Sequence, residues 1–204
     1  MIKNHPSKAI IYWLFTGCVL TAIMVIIGGV TRLTESGLSM TDWQLISGAI
    51  PPLNEVDWQE SFDQYKQFPE YQKVNKGMSL PEFKFIFFWE YFHRVFGRLI
   101  GLVFIIPFLI FWLRNKISKQ LMPKIILIFL LGCFQAFLGW WMVKSGLVDK
   151  PEVSHFRLAA HLISAFGLIS YIFWVILDLY FQNSFPNHQK LNHWIKWILA
   201  LVLL

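Results

Sequence analysis

The sequence predicts an all-α membrane protein: a four-helix transmembrane bundle, the start of a fifth span and a long, partly helical outer loop. Three observations predict it. The 204 residues are 56% hydrophobic and only 15% charged, against about 25% charged in soluble domains. Four apolar runs, Ala9–Val30, Phe85–Leu113, Leu121–Val143 and Leu158–Leu177, each reach the ~20 residues that cross a bilayer. Polar segments separate them, the first a loop of more than fifty residues.

The N-terminus MIKNHPSKAI is short and mildly basic and leads directly into the first span. The apolar stretch is too long for a secretory signal and no small-residue cleavage site follows, so the first span reads as retained. Lys and Arg set the orientation. Arg114, Lys116, Lys119 and Lys124 lie between spans two and three, Lys3 and Lys8 precede span one, and Lys190 and Lys196 follow span four. The first connecting loop instead carries Glu35, Asp42, Glu55, Asp57, Glu60, Asp63, Glu70 and Glu82. The N-terminus is therefore expected inside, with the acidic loop and the short KSGLVDKPEVSHF loop outside. The net charge of +6 is scattered between apolar runs, which excludes the basic stripe of a nucleic-acid binder.

Within the loop over 31–84, NEVDWQESFDQYKQF offers Asn54 as a helix N-cap, acids in the first turn, and Trp58, Phe62 and Tyr65 at helical spacing. That helix fits a lid over an outward-facing site or an amphipathic segment on the headgroups, and periodicity leaves both open. Ser79 and Glu82 form a capping-box pattern with Pro81 in the first turn, starting span two before the membrane. A fifth apolar run begins at Trp194 and reaches only Leu204. The expected organisation is thus a bundle over 1–181, then a linker and the start of a second bundle over 182–204, the front part of something longer.

Cys18 and Cys133 both lie in apolar runs, and there is no C-x-x-C or C-x-x-C-H, so neither a disulfide framework nor covalent c-type haem attachment is indicated. His5, His188 and His193 lie in flanking polar segments, and His155 lies just outside its span. His93 and His161 differ. Counting ~20 residues outward from the inner ends of spans two and four places them at similar depth on separate helices, the arrangement that bis-histidine haem ligation in a bundle requires. Gly97 and Gly101 lie one and two turns below His93, and Ser164 and Ala165 one turn below His161. Small residues there admit a flat ring, and ordinary close helix packing explains Gly97-x-x-x-Gly101 equally. Zinc suits the pattern less, since nothing fixes two histidines and a glutamate around one point.

Arg94, Arg98 and Arg157 surround this layer. They suit the two carboxylates of a haem, although Arg94 and Arg157 can also snorkel to the headgroups. Glu90 lies three residues before His93 on the same face. It can pair with an arginine or handle protons at the edge of a bound ring. Gln135, strongly polar within span three, reads as an interhelical hydrogen-bond partner.

These residues sit in stretches that resemble the haem A synthase family, in particular its proteobacterial and mitochondrial branch. The stretches are GGVTRLTESGLSMTDW, GAIPPLNEVDWQESFDQYKQFPEY, EFKFIFFWEYFHRVFGRLIGLVF, GWWMVKSGL and VSHFRLAAHL, covering roughly Gly28 to Leu162. The resemblance implies an eight-span protein of two similar four-helix halves that oxidises a methyl group of haem O to the formyl group of haem A, for cytochrome c oxidase biogenesis. It maps the family's Glu-x-x-His motif onto Glu90 and His93 and the fourth-helix histidine onto His161. Those histidines then hold the substrate haem, and Glu90 is required for activity. Haem b as cofactor is expected in the C-terminal half, which this chain lacks, together with the loop cysteine pair of some bacterial members. The resemblance also implies a multi-pass protein of the bacterial cytoplasmic membrane, with haem O synthase and oxidase assembly factors as partners and a homo-oligomer as a further expectation. Two other functions fit the histidine layer: a b-type electron-transfer cytochrome, and a non-enzymatic oxidase assembly module working through the outer loop. A transporter fits less, because no span is broken at its middle and none carries a deep ion-coupling carboxylate.

Overall fold

A computed structural model describes residues 8–40, 50–146 and 151–184. The described residues are helical and turn, without strands: α1 (Lys8–Leu33), α2 (Glu55–Tyr65), α3 (Pro69–Lys73), α4 (Leu80–Leu113), α5 (Met122–Lys144) and α6 (His155–Ser184). Four of them, α1, α4, α5 and α6, are long and apolar enough to cross a membrane. They contain the first, second and fourth expected spans, α5 starts one residue after the expected Leu121, and α6 extends beyond its run at both ends. His5, Asp42, His188, His193 and the run from Trp194 lie outside the described residues, and of the expected linker and second-bundle start over 182–204 only 182–184 are described, as the end of α6.

Local chemistry accounts for the ends. Asn54 Oδ1 accepts from Asp57 N at 2.9 Å, capping α2. Ser79 N and Oγ both donate to Glu82 Oε2, at 2.7 and 2.6 Å, so α4 starts at Leu80, five residues before its apolar run. The ends of α1 and α4 share a Schellman closure. At α1, Ser36 N donates to Thr31 O and Glu35 N to Arg32 O, with Glu35 at φ 53°. At α4, Lys116 N donates to Phe111 O and Asn115 N to Trp112 O, with Asn115 at φ 51°. Asparagine tolerates that left-handed position, whereas glutamate there is unusual.

The helices contribute to two compact units. The first comprises the described parts of Met1–Ala22, Ile100–Gln135 and Ile163–Leu204. Its core joins Ile10, Trp13 and Leu14 of α1 to Ile125 and Ile128 of α5 and to Leu168, Ile172 and Val175 of α6. Pro107 sits inside α4 and cannot donate to the carbonyl four residues earlier. That carbonyl, of Val103, instead accepts from Trp13 Nε1 at 3.0 Å. Lys124, expected as an orienting charge, pairs with the buried Asp178 at 2.6 Å. Gln135 Nε2 donates to Ser164 Oγ at 2.6 Å, the interhelical bond expected of it.

The second unit comprises the described parts of Ile23–Leu99 and Ala136–Leu162. Here Phe62 and Tyr65 of α2 pack with Met40 and with Phe83, Ile86 and Phe87 of α4, and Trp58 joins them. Phe62 stacks on Phe83 with centroids 4.9 Å apart. The apolar face of α2 is therefore covered by α4. Gly146, just after α5, packs against Leu38, whose Cδ1 stands 2.7 Å from where a Cβ would be.

Candidate functional site

All seven candidate residues, Glu90, His93, Arg94, Gly97, Arg98, Arg157 and His161, fall in the second unit. His93 lies on α4 and His161 on α6. Each imidazole packs on a glycine of the membrane-length helix that precedes its own. A Cβ on Gly28 of α1 would stand 3.3 Å from His93 Nε2. One on Gly139 of α5 would stand 3.3 Å from His161 Cε1 and 3.6 Å from its Nε2. The two 3.3 Å distances are tighter than ordinary side-chain contact, so glycine is what lets each imidazole lie against its neighbour.

Sequence reasoning placed the small residues on the histidines' own helices, where i, i+4 spacing is visible. The close approach instead comes from neighbouring helices. Gly97 faces Met24 Cε, 3.3 Å from a built Cβ, which is the close-packing reading of that glycine, and Gly101 has nothing within 4 Å. Gly28 and Gly139 were present in the quoted GGVTRLTESG and GWWMVKSGL stretches. Nothing in one linear sequence tied either of them to a histidine.

Glu90 is buried, at 2% exposure, and both its oxygens are engaged. Oε1 accepts from Arg94 Nη2 at 2.5 Å. Oε2 accepts from Ser39 Oγ and from Met40 N, each at 2.7 Å. Arg94 Nη2 also donates to Met40 O at 3.2 Å. This network joins the turn after α1 to the turn of α4 that carries His93, and Ser39, itself 2% exposed, was not among the expected residues. Of the two readings of Glu90, pairing with an arginine is the one realised in these contacts. Every contact is one in which the carboxylate accepts, so the buried charge is well compensated.

Arg157 is held differently. Its Nη1 donates to Trp141 O at 2.7 Å and its guanidinium lies 4.3 Å over the Trp141 ring. Arg98 is half-buried in the same unit. Trp89 Nε1, one residue before Glu90, is buried without a hydrogen-bond partner among the described residues.

The residues present fit a haem. Two imidazoles on separate helices supply an axial donor pair of the kind a haem iron takes. Glycines flank both rings, and cations stand within the same unit. Among the described residues no three His, Cys, Asp or Glu side chains converge as a metal site.

A family model described as a cytochrome oxidase assembly protein, COX15-CtaA, matches residues 11–204. The chain is 50% identical over its full length to a protein of Flavobacterium psychrophilum named heme A synthase, and covers 60% of that protein. It is 56% identical over 87% of its length to the heme A synthase of Nitrosospira multiformis, covering 50% of it. With the heme A synthase of Paramagnetospirillum magneticum the figures are 54% identity, 98% of this chain and 57% of the relative. The chain thus spans about half to three fifths of the length of the curated relatives it matches. No solved structure matches it. With the match running over nearly the whole sequence, the chain belongs to the COX15-CtaA family of cytochrome oxidase assembly proteins.

Proposed function

We propose that this chain carries the haem O-binding half of a haem A synthase, an oxidoreductase that converts a methyl group of haem O to a formyl group. The observation that carries the reading is the repeated pairing of a histidine with a glycine of the preceding membrane-length helix, Gly28 with His93 and Gly139 with His161, inside one compact unit. Relatives 50% and 56% identical to this chain are named heme A synthase, which supports the same reading.

In this proposal His93 and His161 are the axial or near-axial ligands of the substrate haem. Arg98 and Arg157 face its carboxylates, and Arg94 holds Glu90. Glu90 is fixed beside the His93 turn as the proton acceptor for the methyl being oxidised. Each of two successive hydroxylations replaces a C–H bond of that methyl by C–OH and removes two electrons from the carbon, which an external oxidant such as dioxygen takes up; the resulting geminal diol loses water to the aldehyde. Electron transfer would be supplied by a haem b, which the resemblance places in the part of the family's length that this chain does not cover. The protein is a multi-pass protein of the bacterial cytoplasmic membrane, its N-terminus inside by the distribution of Lys and Arg, working beside haem O synthase in oxidase assembly.

The test is to extract haem from the purified chain expressed beside haem O synthase, and to identify it by chromatography and mass. Haem O or haem A bound to the chain supports the proposal, and haem A additionally makes this half sufficient for turnover. Haem b alone favours an electron-transfer cytochrome. No haem at all overturns the assignment of His93 and His161.

A further inference from the structure

The end of α5 and the first turns of α6 enclose an open cavity of about 430 Å³ lined by Trp140, Trp141, Lys144, Ser145 and Arg157. Two of these residues are cations and none is acidic. Among the described residues neither cation is in an ion pair. Glu152, close by in sequence, faces His155 at 3.8 Å.

Both cations are held in place by indoles. Arg157 stacks 4.3 Å over Trp141 and donates one N–H to the Trp141 carbonyl, leaving other guanidinium donors for a ligand. Lys144 Nζ lies 5.1 Å over Trp140. The wall is closed by Ser145, whose hydroxyl donates to Met142 O at 2.6 Å and accepts from Ser154 N at 2.9 Å. The N-terminal end of α6, a 30-residue helix, adds partial positive charge on the same side. Two like charges beside one cavity raise each other's energy unless an anion lies between them.

We infer that this cavity binds an oxyanion, carboxylate or phosphate, carried on an apolar body that lies against Trp140 and Trp141. Two molecules carry such a group in this setting: a haem, through a propionate, and a glycerophospholipid, through its headgroup phosphate. The first source rests on the proposed function and the second does not.

The experiment compares the purified chain with Lys144→Gln and with Lys144→Gln/Arg157→Gln. One arm measures affinity for haem and for haem dimethyl ester, whose carboxylates are blocked. The other measures retention of phosphatidylglycerol against phosphatidylcholine after reconstitution without haem. The expected result is that the double variant loses about tenfold in one arm and the single variant part of that. Loss for haem but not for its ester assigns a propionate. Loss of phosphatidylglycerol with haem affinity unchanged assigns a headgroup. Lys144 is exposed, so Lys144→Gln leaves the fold intact and decides alone if the double variant does not fold. Wild-type values in both arms overturn the inference, and failure of wild type to bind haem removes the first source while leaving the lipid arm decisive.

Discussion

Ser39 donates its hydroxyl to Glu90 Oε2 at 2.7 Å across 51 residues of sequence. The bond lies in a buried cluster that also holds the Met40 amide and the Arg94 guanidinium. If Ser39 acts only by fixing Glu90, its removal matters only while Glu90 is a carboxylate. Ser39→Ala is expected to weaken haem binding about tenfold, since hydrogen bonds to charged groups contribute about 1.5–3 kcal/mol. Glu90→Gln, which leaves Arg94 buried without its counter-ion, is expected to cost about 3 kcal/mol of stability. The double variant is expected to be no worse than Glu90→Gln alone. Haem titrations and thermal melts of the three variants give the cycle, and additive losses would show Ser39 acting independently of Glu90.

The extent to which this site was legible in sequence follows from where its contacts come from. Glu90, His93 and Arg94 are spaced on one helix, so a 3.6-residue period exposes them, and capping chemistry at Asn54 and Ser79 is equally local. Ser39 and Gly28 belong to an unremarkable turn and an apolar helix, and only tertiary packing reveals what they touch. Asp178 was overlooked for the same reason, since its partner Lys124 lies 54 residues away on α5. Amphipathicity states that a face of α2 is buried and not against what, and Phe83 and Phe87 of α4 are what it packs on.

Gly28→Ala and Gly139→Ala test the paired arrangement. Each adds a methyl 3.3 Å from an imidazole atom, and overpacking of this kind costs about 1–3 kcal/mol. Both are expected to weaken haem binding and to shift the electron paramagnetic resonance signature of the bound iron, because the imidazole must rotate or retreat. Gly17→Ala in the same helix as Gly28 is the control, since a Cβ there has nothing within 4 Å. Identical spectra for Gly28→Ala and Gly17→Ala would detach Gly28 from the site.

Glu70 gives the outer segment a pH dependence. It is buried at 6% exposure, accepts from Tyr65 Oη at 2.9 Å, and Tyr65 in turn accepts from Asn75 Nδ2. Burial pushes its carboxyl up to about 8, with Glu90 and Glu35 adding repulsion and the Tyr65 hydrogen bond opposing the rise. The folded segment therefore keeps a proton that the unfolded chain has already released. Its contribution is complete below the ordinary carboxylate range and is lost as pH rises towards about 8. Proteolysis of the segment around α2 and α3 is expected to accelerate between about pH 5 and about pH 8, and Glu70→Gln is expected to flatten that dependence. A profile with the same slope in wild type and Glu70→Gln would assign the effect to another group.

Trp13 and Pro107 form a compensating pair in the other unit. Proline interrupts the hydrogen-bond ladder of α4, and the Val103 carbonyl so released is taken by Trp13 Nε1 at 3.0 Å. Within a bilayer such a carbonyl has no water to turn to, which is why broken membrane helices recruit side chains from their neighbours. Trp13→Phe keeps an aromatic ring against Phe104 and Phe111 but removes the donor, and is expected to cost about 1–3 kcal/mol. Pro107→Ala alone restores a backbone N–H for Val103, and in that background Trp13→Phe should lose most of its penalty. Melting temperatures of the four proteins in one detergent decide the point. An undiminished penalty for Trp13→Phe beside Pro107→Ala would mean that the indole acts through ring packing and that the Val103 bond contributes little.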